Sequence, residues 1–410
     1  MTHSLYNDIL LQELKKYRDK KILVAFSGGK DSLMLLDFIN KQRESLNIYA
    51  GACHINHGLR HTAKRDEDFC RLYCKKNNIE FYTYNIAEKL KNDNSGGTES
   101  SARKYRYKYL LQTVKENNYD YLFTAHTYSD DIESFFVDLY TGASLFTLGG
   151  IMYENNKIIR PMLNITTEMV NDYIDRNNLE PVFDETNNNI KYVRNRIRHK
   201  LIPVLYGCGN EFEKSVIKLQ KESNRFNEYL YKKVKHVILK QDNIIILKRY
   251  SFMELEYIEK EYLLGKVFSL LFRVSKSILN EALCFLNNND SKRLDLPNGY
   301  MIEQSYNSIK IFKKILVGDY LYYKTAGVSL FNTNDFQIEF LNELKDKDLI
   351  IRNRNKGDKL GRKKLKDLFI DKQIELFERD RAVIIEEDSV IIWAEYISKN
   401  NNIIFKRYGI

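Results

Sequence analysis

Cysteine is sparse in this chain: Cys53, Cys70, Cys74, Cys208 and Cys284 are the only five in 410 residues. The count is odd and no CxxC pair occurs, which argues against a zinc ribbon, a redox dithiol or a disulfide scaffold. Incidental thiols in a reducing cytosol fit instead. Proline is rarer, at four residues, while Lys, Asn, Ile and Tyr abound. An AT-rich genome produces the same bias, so it carries little weight. No stretch approaches the roughly 18 uncharged apolar residues of a membrane span. The N-terminal MTHSLYNDILLQELKKYRD mixes charges among its apolar positions, which makes an amphipathic helix and not a signal peptide. A cytoplasmic protein without a membrane partner is expected. Internal repeats are also absent.

The hydrophobic fraction of 43% and the aromatic fraction of 13% are ample for packed cores, which excludes wholesale disorder. At roughly 100–200 residues per domain, the length implies two to three domains. The formal net charge is +10. A positive balance attracts polyanions and makes nucleic acid a natural partner, although an ordinary basic protein would carry it too.

The first half alternates strand and helix patterns. Lys21–Phe26 is a short apolar run ending in a Gly-rich turn, and Leu33–Asn40 follows with helical spacing. Ile48–His54, Phe81–Asn85 and Tyr121–Ala125 are further strand candidates. Helices are expected over Ala63–Asn77, Ser100–Glu116 and Asp130–Tyr140, with the polar segment Lys91–Thr98 as a loop. This order implies an α/β fold, a parallel sheet covered by helices on both faces. Ligands of such sheets sit beyond the carboxyl ends of the strands, where loops 27–32, 54–60 and 126–133 would converge. Beyond about residue 205 the pattern changes to long charged helices, Glu211–Leu239 and Glu254–Phe272, and from Lys313 to short strands with polar turns. Residues 349–408 carry Arg352, Arg354, Lys356, Lys359, Arg362, Lys363, Lys364 and Lys366. That density of cations leans towards RNA.

Ser27-Gly28-Gly29-Lys30-Asp31-Ser32 follows a strand and opens a helix. Two consecutive glycines let the backbone approach a ligand without Cβ interference, and their N–H groups can form an anion nest at the positive end of the helix. Ser27, Ser32 and Lys30 add donors. The loop is not a Walker A motif, which needs Gly where Val24 stands and Ser or Thr where Asp31 stands. The GxGxxG of a dinucleotide fold is also missing.

SGGKDS closely resembles the SGGxDS signature of the ATP-pyrophosphatase (PP-loop) enzymes, which cleave ATP between the α and β phosphates and transfer AMP. Further strings resemble those of one branch, the tRNA(Ile)-lysidine synthetases. They are His54-Ile55-Asn56-His57-Gly58-Leu59-Arg60; Glu99-Ser100-Ser101-Ala102-Arg103 with Tyr105-Arg106-Tyr107; and Thr124-Ala125-His126 with Asp130, Asp131 and Glu133. The last is Pro181, Asp184, Thr186 and Asn187 followed by Arg194-Asn195-Arg196-Ile197-Arg198. Together the strings span residues 22–203 in the family's order. Arg352-Asn353-Arg354, Gly357-Asp358, Lys364–Phe369 and Arg379-Asp380-Arg381 resemble the family's terminal domain more loosely. Thr127 stands where the family has a second His, Ile132 where it has Gln, and Glu375 where it usually has Pro.

The resemblance implies an adenine nucleotide alpha hydrolase-like, Rossmann-like catalytic domain over residues 1–205. It also implies a mainly helical tRNA-binding domain over 206–315 and a small α+β tRNA-binding domain over 316–410. The implied reaction joins free lysine to C2 of the wobble cytidine of a CAU-anticodon tRNA(Ile), through an adenylated cytidine. ATP and Mg²⁺ are implied, with residues 27–32 on the nucleotide and Asp31 and Asp131 on the metal. Asp130, Asp131 and Glu133 are residue types that can hold Mg²⁺, bind the amine or accept its proton. His126, Arg194 and Arg198 can stabilise phosphate oxygens. Asp31, His126, Asp130, Asp131, Glu133, Arg194 and Arg198 are therefore the expected catalytic set.

Blander readings stand beside these. The acidic cluster also suits a helix N-terminus, and the Arg103–Tyr109 run a solvated helix face. A tRNA-thiolating relative would share SGGxDS but carry paired cysteines, which Cys70 and Cys74, four apart, do not match. A non-catalytic RNA binder would not need the acidic set. Oligomeric state is left open, a homodimer being one option.

Overall fold

Strand β1 (Lys21–Ala25) has a parallel neighbour on each side, which is why its sequence reads as an unbroken apolar run. Ile22 is level with Ala50 of β2 (Tyr49–Asn56) on one side and Tyr121 of β4 (Tyr121–Phe123) on the other. With β3 (Glu80–Asn85), β5 (Glu154–Asn155) and β6 (Ile158–Ile159) they form a six-stranded sheet in the order β3-β2-β1-β4-β6-β5. Only the β5–β6 pairing is antiparallel. In this computed structural model the described residues are 5–58, 62–91, 98–142, 144–182, 193–241, 243–272, 274–288, 292–314 and 320–408. Leu59, Arg60, residues 92–97, Asp184, Thr186 and Asn187, named above on sequence grounds, lie outside them.

Helices cover both faces of the sheet. On one, α1 (Leu5–Lys15), α2 (Lys30–Gln42), α3 (Ala63–Lys76) and α7 (Thr167–Arg176) bury Leu10, Leu36, Cys70 and Val170 in one apolar cluster with Ile22 and Val24. On the other, α5 (Thr98–Glu116) packs Leu110 and Val114 against Leu23 and Leu122, with α4 (Ala87–Lys91) beside it. Four of the returns from helices end in a left-handed asparagine: Asn47, Asn78, Asn118 and Asn178, with φ between 49° and 55°. After each, the next N–H reaches five residues back, as Ile79 does to the Cys74 carbonyl at 2.9 Å. Asn tolerates that backbone because its short polar side chain is stabilised locally.

Crossovers run from β1 to β2 in one direction, and β4 lies on β1's other side. The crevice between β1 and β4 is thus a topological switch point, where ligands of such sheets bind. α6 (Tyr128–Tyr140) leaves β4 there, followed later by α8 (Val193–Arg196), one wide π turn (Ile197–Leu201), α9 (Ile202–Gly207) and α10 (Glu211–Val234).

Two compact units divide the chain, Met1–Phe226 and Asn227–Ile410. The second holds more sheet than the charge pattern suggested. β7 (Ile238–Gln241), β8 (Ile244–Lys248), β9 (Lys292–Asp295), β10 (Tyr300–Gln304) and β11 (Ser308–Lys313) form an antiparallel sheet in the order β7-β8-β11-β10-β9. The helix expected to reach Leu239 stops at Val234, and helices Tyr257–Ser269 and Lys276–Leu286 connect β8 to β9. The C-terminal part is a four-stranded sheet, a three-stranded sheet and helices Leu365–Asp371 and Leu376–Arg381.

Glu375, the departure from the family's Pro, has a local reason. It precedes helix Leu376–Arg381 with φ −65°, an angle proline shares. Its carboxylate accepts hydrogen bonds from buried Lys310 at 2.8 Å and from the Ser308 hydroxyl at 2.7 Å. The basic segment also divides. Arg352 grips Asp358 with both terminal nitrogens, at 2.8 and 3.0 Å, and Glu386 at 2.7 Å, so it is structural. Arg354 pairs with Asp380. Lys356, Lys359, Arg362, Lys363, Lys364 and Lys366 are exposed.

Candidate active site

Gly28 adopts φ +85°, and a Cβ there would stand 3.1 Å from Cys70 Sγ and 3.2 Å from the Phe69 ring. The loop therefore rests directly on α3. Gly29 is the N-cap residue of α2. The Ser27 N–H donates to Ser32 Oγ at 3.2 Å, and the Ser32 hydroxyl donates to the Gly29 carbonyl at 3.0 Å. The two serines thus brace the turn. Lys30 Nζ reaches Asn171 Oδ1 on α7 at 2.9 Å, across the mouth of the loop. Together these residues set the turn at the N-terminus of α2, an end of a helix that favours an anion such as phosphate.

The loop after β2 supports this turn. His54 is buried, with Nδ1 3.0 Å from the Phe26 carbonyl and 3.5 Å from Cys70 Sγ. Burial pushes its imidazole below the usual value. Asn56 donates to Glu67 at 2.9 Å and accepts the Gly58 N–H at 2.9 Å, which closes the turn. Cys70 and Cys74 are fully buried and burial pushes both thiols up, which leaves them unreactive.

All three loops open onto one pocket of about 900 Å³. Ser27, Gly29, Lys30, Asp31 and Ser32 line it from β1, His57 from β2, and His126, Asp130 and Glu133 from β4 and α6. Arg194 and Arg198 close one side. Asp31 is pushed up to about 6, by burial first and then by Asp130, and no hydrogen bond holds its carboxylate among the described residues.

Asp130 and Glu133 are three apart and so share a face of α6. Asp130 Oδ2 accepts the Thr127 N–H at 2.9 Å and its hydroxyl at 3.1 Å, which makes Asp130 half of a capping box. Thr127 thus has a defined task where the family carries its second His. Arg194 donates to Asp130 Oδ1 at 3.0 Å and to Glu133 Oε2 at 3.0 Å. Arg198 binds both oxygens of Glu133, with Nη2 2.8 Å from Oε2, and lies 3.5 Å from Asp130. Burial opposes ionisation of Asp130, but Arg194, the Thr127 N–H and Arg198 outweigh it and hold the carboxyl below its usual range. The acids are thus two carboxylates already clasped by two guanidinium groups.

Asp131, expected in the same cluster, is not among the residues that line the pocket. One residue further round the helix, it points away from the pocket, because consecutive helical residues diverge by about 100°. Its Oδ1 accepts the Ile151 N–H at 2.6 Å. A side chain on Gly150 would collide with Asp131 Oδ1 at 2.6 Å and with Gln220 of α10 at 2.5 Å. Asp131 fastens the loop after α6; it is not placed to hold a metal in the pocket.

His126 sits at the back of the site, with Nδ1 2.9 Å from Thr124 Oγ1. Burial pushes it down to about 3, against Asp130 and helped by Arg160, Arg106 and Arg103, so the ring is neutral. Arg103, Arg106 and Tyr107 belong to the run that also suits a solvated helix face. All three line the pocket, and the i, i+3 spacing of the arginines on α5 was the available signal. The Arg103 and Arg106 guanidiniums both lie against the Tyr107 ring, 5.2 and 5.4 Å from its centre.

A profile described as the PP-loop domain matches residues 3–205, and one described as the TilS substrate C-terminal domain matches 349–406. The chain is 31% identical over 392 residues to the tRNA(Ile)-lysidine synthase of Pseudothermotoga lettingae, covering 92% of this chain and 86% of that protein. It is 28% identical to that of Thermotoga maritima, covering 93% and 92%. Among solved structures, the U34-tRNA thiolase NcsA from Methanococcus maripaludis superposes with a TM-score of 0.43 at 17% identity, over 52% of this chain and 80% of that one.

Proposed function

The chain belongs to the tRNA(Ile)-lysidine synthase family, and we propose from that premise how its residues use ATP to form lysidine on tRNA(Ile). The observation that carries the proposal is the shared pocket. A phosphate-binding turn and a carboxylate pair, Asp130 and Glu133, face the same space.

The Gly28-Gly29 turn and Lys30 receive the triphosphate. The O2 of the wobble cytidine in a CAU anticodon attacks the α-phosphorus, and the bond to the β-phosphate oxygen breaks with its electron pair leaving on pyrophosphate. The ε-amine of free lysine, having lost a proton, then attacks C2. The C2–O bond breaks, and AMP leaves with that electron pair. Asp130 and Glu133 bind the amine as its ammonium form and lie nearest to take the proton. His126, as a neutral ring, offers a hydrogen bond without a charge. Arg194 and Arg198 supply bidentate donors for phosphate oxygens.

Mg²⁺ prefers one or two carboxylates and completes its shell with phosphate oxygens and water. Asp31, a carboxylate beside the phosphate turn without a hydrogen-bond partner among the described residues, suits that role. Asp131, occupied by the Ile151 N–H, does not. The ion would neutralise charge on the departing pyrophosphate.

The exposed lysines between Lys356 and Lys366 form the tRNA-binding surface of the second unit, with residues 206–315 and 316–410 as the tRNA-binding segments. No helix among the described residues is long and apolar enough to cross a membrane; the cytoplasm is the proposed compartment. The test is incubation with ATP, Mg²⁺, labelled lysine and a CAU-anticodon tRNA transcript. ATP-dependent transfer of label into tRNA is expected, and its absence would refute the proposal.

A further inference from the structure

The acid pair is electrically full. Asp130 and Glu133 carry two negative charges, and Arg194 and Arg198 bring two positive ones within 3.5 Å. Glu133 is 5% exposed, so little water can screen a further cation. An ammonium group entering this set would put three cations on two carboxylates, which is unfavourable where screening is weak.

The phosphate turn offers the arginines another partner. Arg198 and the turn residues Ser27, Gly29, Lys30, Asp31 and Ser32 line the same pocket, and Arg198 feels the charge of Asp31 at the start of α2. The Arg198 backbone belongs to the π turn Ile197–Leu201, in which the Ile202 N–H bonds the Ile197 carbonyl. Such turns are a recurrent feature of functional sites, and relaxing one to α geometry re-aims its side chains. A guanidinium also pairs bidentately with phosphate as well as with carboxylate, which an ammonium does not.

We infer that Arg198, beside Arg194, is a placeholder on the amine site: it occupies Asp130 and Glu133 until ATP phosphates draw it away. The acid pair then opens to the ε-ammonium of lysine. ATP and lysine therefore bind with positive coupling, and the nucleotide is the first to bind. This rests on the reading of Asp130 and Glu133 as the amine site. The coupling is reciprocal, so lysine tightens the nucleotide by the same factor.

The test is equilibrium dialysis of labelled lysine with the full chain and Mg²⁺, with and without α,β-methylene ATP. Lysine affinity should rise about tenfold or more with the analogue. In Arg198→Met, lysine should bind more tightly than to wild type without nucleotide, and the analogue should add less. Arg198→Lys keeps a cation but not the bidentate fork, and should retain only part of the coupling. Equal lysine affinity in both states of the wild type, undetectable binding included, overturns the inference, and so does full coupling in Arg198→Met. Should Arg198→Met fail to fold, the wild-type comparison and Arg198→Lys still decide. Transfer of labelled lysine to tRNA is measured in parallel. Transfer without coupling removes the inference and spares the catalytic reading, whereas no transfer removes both.

Discussion

Cys70 Sγ lies 3.1 Å from where the first side-chain atom of any residue but glycine would stand at position 28, under a backbone at φ +85°. Gly28→Ala should therefore cost about 1–3 kcal/mol of stability and raise the KM for ATP. Cys70→Ala should relieve part of the defect, so that the double variant is less than additive. Thermal melts of the two single variants and the double one check this. Full additivity would show that Cys70 has no part in it and would leave backbone strain and the Phe69 ring.

The divergence of Asp130 and Asp131 predicts unequal substitutions. Glu133→Gln should lower lysidine formation by about 100-fold or more, while Asp131→Asn, which keeps an acceptor for the Ile151 N–H, should stay within a few-fold of wild type. Steady-state rates with saturating tRNA distinguish them. Equal losses would return Asp131 to the reacting centre.

His126 predicts a pH effect. Its folded pKa is depressed, so the neutral ring contributes stability above the ordinary imidazole value of about 6.5, and this is lost as pH falls through the window down to about 3. His126→Gln should narrow the fall in Tm between about pH 7 and pH 5. NMR should find the wild-type ring untitrated across that interval. A ring that titrates near pH 6.5 would contradict the described burial.

The Glu375 position predicts that Glu375→Pro folds, because φ −65° already suits proline. Its cost is that of the lost acceptor of Lys310 and of the Ser308 hydroxyl, about 1–3 kcal/mol, with Glu378 still 3.0 Å from Lys310. Lys310→Met should cost more, since it leaves both carboxylates without their cation. Chemical denaturation of each variant gives the order.

tRNA affinity should fall steeply with salt. Replacing Lys363 or Lys364 by Ala should lower the slope of log affinity against log salt by about one per cation. Arg352→Ala should instead lower the melting temperature, because it abandons Asp358 and Glu386. Affinity that does not change with salt would remove the exposed lysines as a docking surface.

The turn at residues 27–32 was legible as a strand-to-helix loop because its determinants are adjacent: a strand, two glycines and a helix start within twelve residues of one another (21–32). The convergence of loops 27–32, 54–58 and 126–133 followed from the rule for parallel sheets. The orientation of Asp131 was also available in principle, since helical spacing lets Asp130 and Glu133 share a face but not Asp130 and Asp131. The antiparallel sheet of the second unit was not legible. Ile244–Lys248 pairs with Ser308–Lys313, some sixty positions later, and a short apolar run such as IIILK does not disclose a distant partner. Arg352 likewise resembled its exposed neighbours, because what distinguishes it is Glu386, 34 positions away.

The left-handed asparagines that close four of the helix returns include three that feed the amino ends of strands, at Asn47, Asn78 and Asn118. That rim lies at the other end of the strands from loops 27–32, 54–58 and 126–133, where the proposed chemistry takes place. A fluorescent label or an inserted peptide could be grafted at Asn78 without entering the catalytic cleft. New chain termini opened there would let the enzyme be tethered, sensed or fused from the side on which it does no chemistry.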